Sequence, residues 1–346
     1  MEVAVDKTVI LRPADWPTEL RTLWEAGTRP PILPNDPCGA GARWRRQTVK
    51  TTEASLGCFL YFATERGWDI TGPSLTRLVT KERVQPYLSC LAERNSPATV
   101  LHRCIGLERG WAVLAPKSNR SLLRLIIADL EDHFEPASKR ERLQETAALL
   151  GLGRRLMDAA RGQTGRYPFL PEVQFRNGLK TGVLARRPIR LRNLSMMLVG
   201  RHVVKVGGIW RMRFEGYEVK NGKPIDVVFP EDLVEDLEHY ISMVRPVLAG
   251  ARYKGTALWV SAMGNPLSPV SINQQLCKVT RDAFGLPISP HLFRDCAATS
   301  LAVHAPELVQ IAHLILGNTY SVMERHYNLA RVVEAGHHFY ATLGLD

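Results

Sequence analysis

The sequence predicts an α+β protein, mostly α, with a helical N-terminal domain of four to five helices and a mixed α/β C-terminal domain holding a small antiparallel sheet. Three observations predict it. Segments of helical period follow one another from about residue 41 to 160 with little strand signal. Between residues 202 and 229, β-branched stretches alternate with glycine-rich turns. Helical patterning returns at 231–247 and dominates from Ser271 onward. With 346 residues, 45% of them hydrophobic, the chain can build two packed domains and is not disordered as a whole.

Taken in order, residues 1–40 read as an irregular segment, because Pro30, Pro31, Pro34 and Pro37 crowd together ahead of Gly39 and Gly41. The first domain spans 41–160. Apolar residues recur from Trp44 through Leu56, Phe59, Leu60 and Ala63, and Gly67 stops that helix. Further amphipathic segments cover 80–94, 97–114 and 119–133, with Ser96 as an N-cap. Ser138 and Glu141 have capping-box spacing and open a helix running to about Ala160. Arg161 to Tyr167 reads as the linker, and the second domain spans 165–346. It begins with a helix near 171–186. Two hairpins follow: His202–Val206 with Ile209–Phe214 around Gly207-Gly208, then Gly216–Lys220 with Ile225–Phe229 around Asn221-Gly222.

The formal net charge is +11, which favours a polyanionic partner, nucleic acid or an anionic membrane. Between Gln174 and Lys223, twelve Lys and Arg residues face only Glu215 and Glu218. Six cysteines are scattered without metal-ligand spacing and read as small thiols in a reducing compartment. Met1 to Trp16 lacks an apolar signal core. The uncharged run from Ala257 to Cys277 is broken by Asn265, Pro266 and Pro269, so no membrane span is expected. A soluble, cytoplasmic protein follows.

Chemistry concentrates in Ser289-Pro290-His291-Leu292-Phe293-Arg294. Ser289 suits an N-cap and Pro290 the first helical position, so a helix begins there. His291 and Arg294 then share a face at its positive end, a place suited to phosphate. Farther on, Leu316-Gly317-Asn318 ends a short apolar helix, and Ser321 with Glu324 caps one that carries Tyr327.

In this order the motifs resemble the catalytic domain of the tyrosine recombinases, or phage integrases, over about 160 residues. Arg190, within Pro188-Ile189-Arg190-Leu191-Arg192-Asn193-Leu194, stands at the family's first arginine. Lys220, just before Asn221-Gly222, stands at its hairpin lysine, and His291 and Arg294 form its His-x-x-Arg. Tyr327 follows Asn318 by nine residues, as the family's nucleophile does. Asn318 replaces the usual His or Trp, and Asn193 the usual Glu. Asn318 retains a hydrogen-bond donor but leaves reduced activity open.

The resemblance implies site-specific DNA recombination through a covalent phosphotyrosyl intermediate at Tyr327, without metal or other cofactor. Arg190 and Arg294 would clamp the phosphate, Lys220 would act as general acid, His291 as base or hydrogen-bond partner, and Asn318 would steady the phosphate. Lys223 is a rival acid, and Tyr320 a rival nucleophile. Arg186, Arg187, Arg192 and Lys223 would contact the DNA backbone. The N-terminal domain resembles the family's core-binding domain, the two lobes would clamp double-stranded DNA from opposite faces, and dimers and tetramers would assemble on it. A type IB topoisomerase and a recombinase-like accessory protein that has lost catalysis are the rival functions. The amphipathic tail from Ala330 to Leu345 would dock on a neighbouring protomer. Deleting residues 331–346 should therefore weaken synapsis, measured as paired-duplex complexes, more than single-site cleavage. Equal loss of both would speak against docking.

Overall fold

The computed structural model describes residues 10–33, 35–71, 75, 77–135, 139–162, 169–251 and 253–305. The chain divides into two compact units, Met1–Ala137 and Ser138–Asp346. The expected mostly helical α+β class is what the structure has. No described helix is long and apolar enough to cross a membrane.

The first unit contains α1 (Thr18–Thr28), α2 (Arg46–Glu65), α3 (Lys81–Arg94), α4 (Pro97–Leu114) and α5 (Ser121–Asp132). The segment expected to be irregular up to residue 40 therefore carries a helix. Trp16, Leu20 and Trp24 recur every four residues and are all buried, a stripe obscured by the prolines that follow. The indoles of Trp16 and Trp24 meet edge to face at 5.9 Å. Phe59 of α2 lies between Tyr87 and Trp111 at 5.1 and 6.2 Å, joining α2, α3 and α4. The α2–α4 crossing needs glycine: a Cβ on Gly110 would meet the Leu56 side chain at 2.3 Å. Ser96 caps α4 by accepting from the Thr99 amide.

The second unit begins earlier than expected. Arg140–Arg142 forms one 3₁₀ turn, and α6 (Thr146–Arg161) starts only after residue 145. This helix belongs with the second unit because it packs against α7 (Leu170–Arg186). The two backbones approach where Gly153 faces Gly178 and Gly182; a Cβ on Gly178 would lie 2.6 Å from the Gly153 carbonyl oxygen. Ser138 and residues 163–168, which include most of the expected linker, lie outside the described residues.

A short helix α8 (Leu191–Ser195) leads to β1 (Val203–Val206), β2 (Ile209–Phe214) and β3 (Ile225–Val228), an antiparallel sheet in the order β1-β2-β3. Gly207 and Gly208 both adopt positive φ, so the first hairpin turns where expected. The second hairpin is a correction. Gly216–Glu218 is a 3₁₀ turn rather than a strand, and β3 pairs with β2, Phe214 opposite Ile225. Glu215 and Glu218 form a reciprocal capping box that holds the turn. Only Gly222 of the Asn-Gly pair has positive φ.

After β3 the chain forms a 3₁₀ turn at Glu231–Leu233, α9 (Val234–His239), a π-helical turn at Tyr240–Val244 and α10 (Arg245–Ala249). Then come α11 (Pro269–Phe284) and α12 (Pro290–His304). Leu179, Val183, Met212, Phe214, Tyr240, Trp259 and Phe293 meet in one core.

That core also holds two cations. Arg176 is 1% exposed and Lys180 is fully buried, one turn apart on α7. Arg176 donates to the Val260 carbonyl at 2.6 Å and to Gln275 Oε1 at 3.1 Å, while Lys180 Nζ donates to the same oxygen at 2.5 Å. Among the described residues no carboxylate pairs with either. Burial, reinforced by the Arg176 charge, holds the Lys180 amine well below its ordinary value of 10.5. Its folded-state value lies below its unfolded one, so its contribution to stability improves as pH rises toward 10.5. Replacing Lys180 by Met should raise stability at pH 7 by about 1–3 kcal/mol. In denaturant titrations that advantage should shrink as pH approaches 10; an advantage that is constant or growing would contradict the account.

Candidate active site

Ser289 holds the N-cap position of α12 in extended backbone, and Pro290 supplies a pre-set φ at the first helical residue. The Ser289 side chain makes no capping bond, unlike Ser268 at the start of α11. His291 lies exposed on the first turn. Arg294 follows one turn later and is 4% exposed. Its guanidinium donates to the Pro188 carbonyl at 2.5 Å, joining α12 to the turn before α8 across 106 residues of sequence.

Arg190 is the N-cap residue of α8, two positions after that carbonyl. Burial, and then the Arg190 charge, lower the Arg294 guanidinium to about 10, with Asp295 opposing. Arg294 thus remains a cation at neutral pH. Two guanidinium groups near enough to repel form a place where an anion is stabilised. Beside them opens a cleft of about 430 Å³ whose walls include Arg187, Arg190, Asn193, Asn221, Lys223 and Arg294.

Lys220 is exposed on the connection between β2 and β3. Its charge reaches His291, whose imidazole is partly covered at its inner side and is lowered first by that desolvation and then by Lys139, Arg294 and Lys220, while Asp295 opposes. A lowered imidazole is neutral at pH 7, a state able to accept a proton. The structure thus brings Arg190, Lys220, His291 and Arg294 into one electrostatic neighbourhood.

Of the remaining cations, Arg187 and Lys223 line the cleft and Arg192 is exposed on α8. Arg186 is turned to another purpose: it donates to Asp232 at 2.8 Å, an ion pair shared with Arg154. Tyr327, Asn318, the rival Tyr320, the Leu316-Gly317 pair and the tail from Ala330 lie outside the described residues.

A network absent from the sequence reading sets Lys220 relative to Arg190. The carboxylate of Glu218, 5% exposed, accepts from Arg201 at 2.6 Å, from His202 Nε2 at 3.2 Å and from the Glu215 amide at 2.9 Å. His202 Nδ1 accepts from the Leu198 amide, which fixes the proton on Nε2. Asn193 of α8 donates to the Glu218 carbonyl at 3.2 Å. Asn193, standing where Glu was expected, thus ties α8 to the lysine-bearing connection. Burial opposes ionisation of Glu218, but the Glu215 amide, His202 and Arg201 outweigh it and keep the carboxyl below the usual 4.5. Its stabilisation is present above pH 4.5 and fades as pH falls through the lower folded-state value. Glu218→Ala should cost about 1–3 kcal/mol at pH 7 by stranding its donors. The gap between variant and parent in urea melts should close on acidification; a gap unchanged by acid would contradict the ionised network.

The fold is that of known DNA recombinases. A crystal structure of the XerH site-specific recombinase bound to palindromic difH substrate, a post-cleavage complex, superposes with a TM-score of 0.63 at 14% identity, covering 92% of this chain and 94% of that one. Its pre-cleavage complex with difH substrate gives a TM-score of 0.58 at 14% identity, covering 92% and 93%. No family model and no curated protein matches the chain.

Proposed function

We propose that this chain is a tyrosine-type site-specific recombinase that cuts and rejoins double-stranded DNA through Tyr327. One observation carries the reading. Arg190 at the start of α8, Lys220 on the β2–β3 connection, and His291 and Arg294 on α12 share one electrostatic neighbourhood, beside a cleft that Arg190 and Arg294 line, in a chain with the fold of XerH. Three residue types, which stabilise, protonate and deprotonate around a phosphate, are thereby available together.

The reaction proceeds from these groups. The Tyr327 hydroxyl gives up its proton as its oxygen attacks phosphorus, and the bond from phosphorus to the 5′ oxygen breaks. A tyrosine hydroxyl has a pKa of about 10, so neighbouring cations and a proton acceptor are needed at neutral pH. The neutral imidazole of His291 is the acceptor. The departing 5′ oxygen takes a proton from Lys220. Arg190 and Arg294 stabilise charge growing on the non-bridging oxygens, and Asn318 donates to the same phosphate. The 3′-phosphotyrosyl ester conserves the broken bond, so a second 5′ hydroxyl can reverse the step and join a new partner. Arg187, Arg192 and Lys223 hold the backbone on either side. Copies of the chain assemble on paired DNA sites, as strand exchange between two duplexes requires.

A duplex nicked beside its recombination site tests this reading, because release of a short strand leaves cleaved protein attached. The wild type should become covalently trapped and Tyr327→Phe should not. Arg294→Ala should slow trapping about 100- to 1,000-fold. Trapping by the Phe variant would overturn the nucleophile, and relaxation of plasmids that lack any specific site would replace recombination by topoisomerase activity.

A further inference from the structure

The stretch from Lys139 to Thr146, immediately after the first unit, lies along α12, the helix that carries His291 and Arg294. Four contacts fasten it. Lys139 Nζ donates to Asp295 Oδ2 at 3.0 Å, the Gln144 amide donates to Cys296 Sγ at 3.4 Å, and the Thr146 amide donates to Ser300 Oγ at 3.0 Å. His304 Nε2 and Glu145 Oε2 meet at 2.9 Å. Residues 296, 300 and 304 recur every four positions, one stripe of the helix. His291 stands one turn before Asp295, so the lysine end of the fastening lies beside the site.

Asp295 is unusual in its setting. Its side chain is 9% exposed, while that of Lys139 is 49% exposed. A carboxylate this buried requires a partner, and it directly follows the arginine of the phosphate site. We propose that Lys139 and Asp295 are a positioning pair for the phosphate site, the lysine balancing a buried carboxylate so that His291 faces the phosphate in a fixed field. This inference rests on the recombinase reading.

Among the described residues, the charges that reach His291 come from three parts of the chain. Asp295 and Arg294 lie on its own helix, Lys139 on the segment along that helix, and Lys220 on the β2–β3 connection. Asp295 is the single anion among them and opposes the three cations. Losing Lys139 removes a cation that opposes protonation, so the imidazole holds its proton to higher pH. Losing the Asp295 charge does the reverse. A tether that mattered only for folding would not move the two variants in opposite directions.

The test is an NMR titration of the imidazole in full-length protein, with His291→Gln assigning the signal. Lys139→Met should move its midpoint upward, and Asp295→Asn downward, each by roughly half a unit or more. Lys139→Arg should restore the parent value. A midpoint that does not move, or two that move the same way, would overturn the pair. If Asp295→Asn fails to fold, the Met and Arg variants of the half-exposed Lys139 still decide. The same variants on the nicked duplex should shift the acid limb of trapping in the same directions. A wild type that traps no DNA yet shows the opposed midpoints would lose the recombinase reading and keep the pair. Trapping with unmoved midpoints would do the opposite.

Discussion

Arg294 is a guanidinium held almost out of water, with a backbone carbonyl and a second guanidinium as neighbours. Burying a cation is costly, and placing another beside it adds repulsion. The surrounding structure must therefore over-determine the arrangement, and it does. The Pro188 carbonyl fixes the fork from α7's end of the chain, α12 carries it from the other, and α8 starts on Arg190. What remains is a position at which a negatively charged oxygen, growing more negative in a transition state, is worth more than it would be in water.

Other features serve that position. The Gly153–Gly178 approach seats α6 against α7, and α7 delivers the chain to Arg187 and Pro188. The Glu218 carboxylate, with His202 and Arg201 around it, and the Glu218 carbonyl, held by Asn193, shape the turn before Lys220. The turn is 3₁₀ and not β because its own carboxylates cap it, which lets the lysine project from an irregular connection instead of a flat strand. Lys180 and Arg176 stand apart from this logic: they cost stability within the same core and share one amide oxygen.

Much of this was legible in the sequence where the signal is local. Ser96-Pro97 and Ser289-Pro290 marked helix starts, Gly207-Gly208 marked a hairpin, and Arg190, Lys220, His291 and Arg294 fell in a recognisable order. Long-range signals were not legible. The stripe Trp16, Leu20, Trp24 was hidden by the proline cluster after it. The unit boundary falls at 137 because α6 finds its partner in α7, a fact of packing that Ser138 and Glu141 do not reveal. Asn221-Gly222 suggested a tight hairpin, yet the nearby Glu215 and Glu218 won locally. Asp295 was visible one turn beyond His291, but its partner Lys139 lies 156 residues away. Arg186 looked like its basic neighbours until Asp232 claimed it.

The central claim is that two arginines act on the charge of one scissile phosphate, and a substrate that lacks this charge tests it most directly. In a duplex whose scissile phosphate carries a neutral methyl group in place of one non-bridging oxygen, covalent trapping rates of wild type, Arg190→Ala and Arg294→Ala are compared. The account predicts that the deficit of each alanine variant, large on ordinary DNA, shrinks sharply on the neutral linkage. Deficits of equal size on both substrates would contradict it, and would place the arginines' contribution in general DNA affinity or in folding.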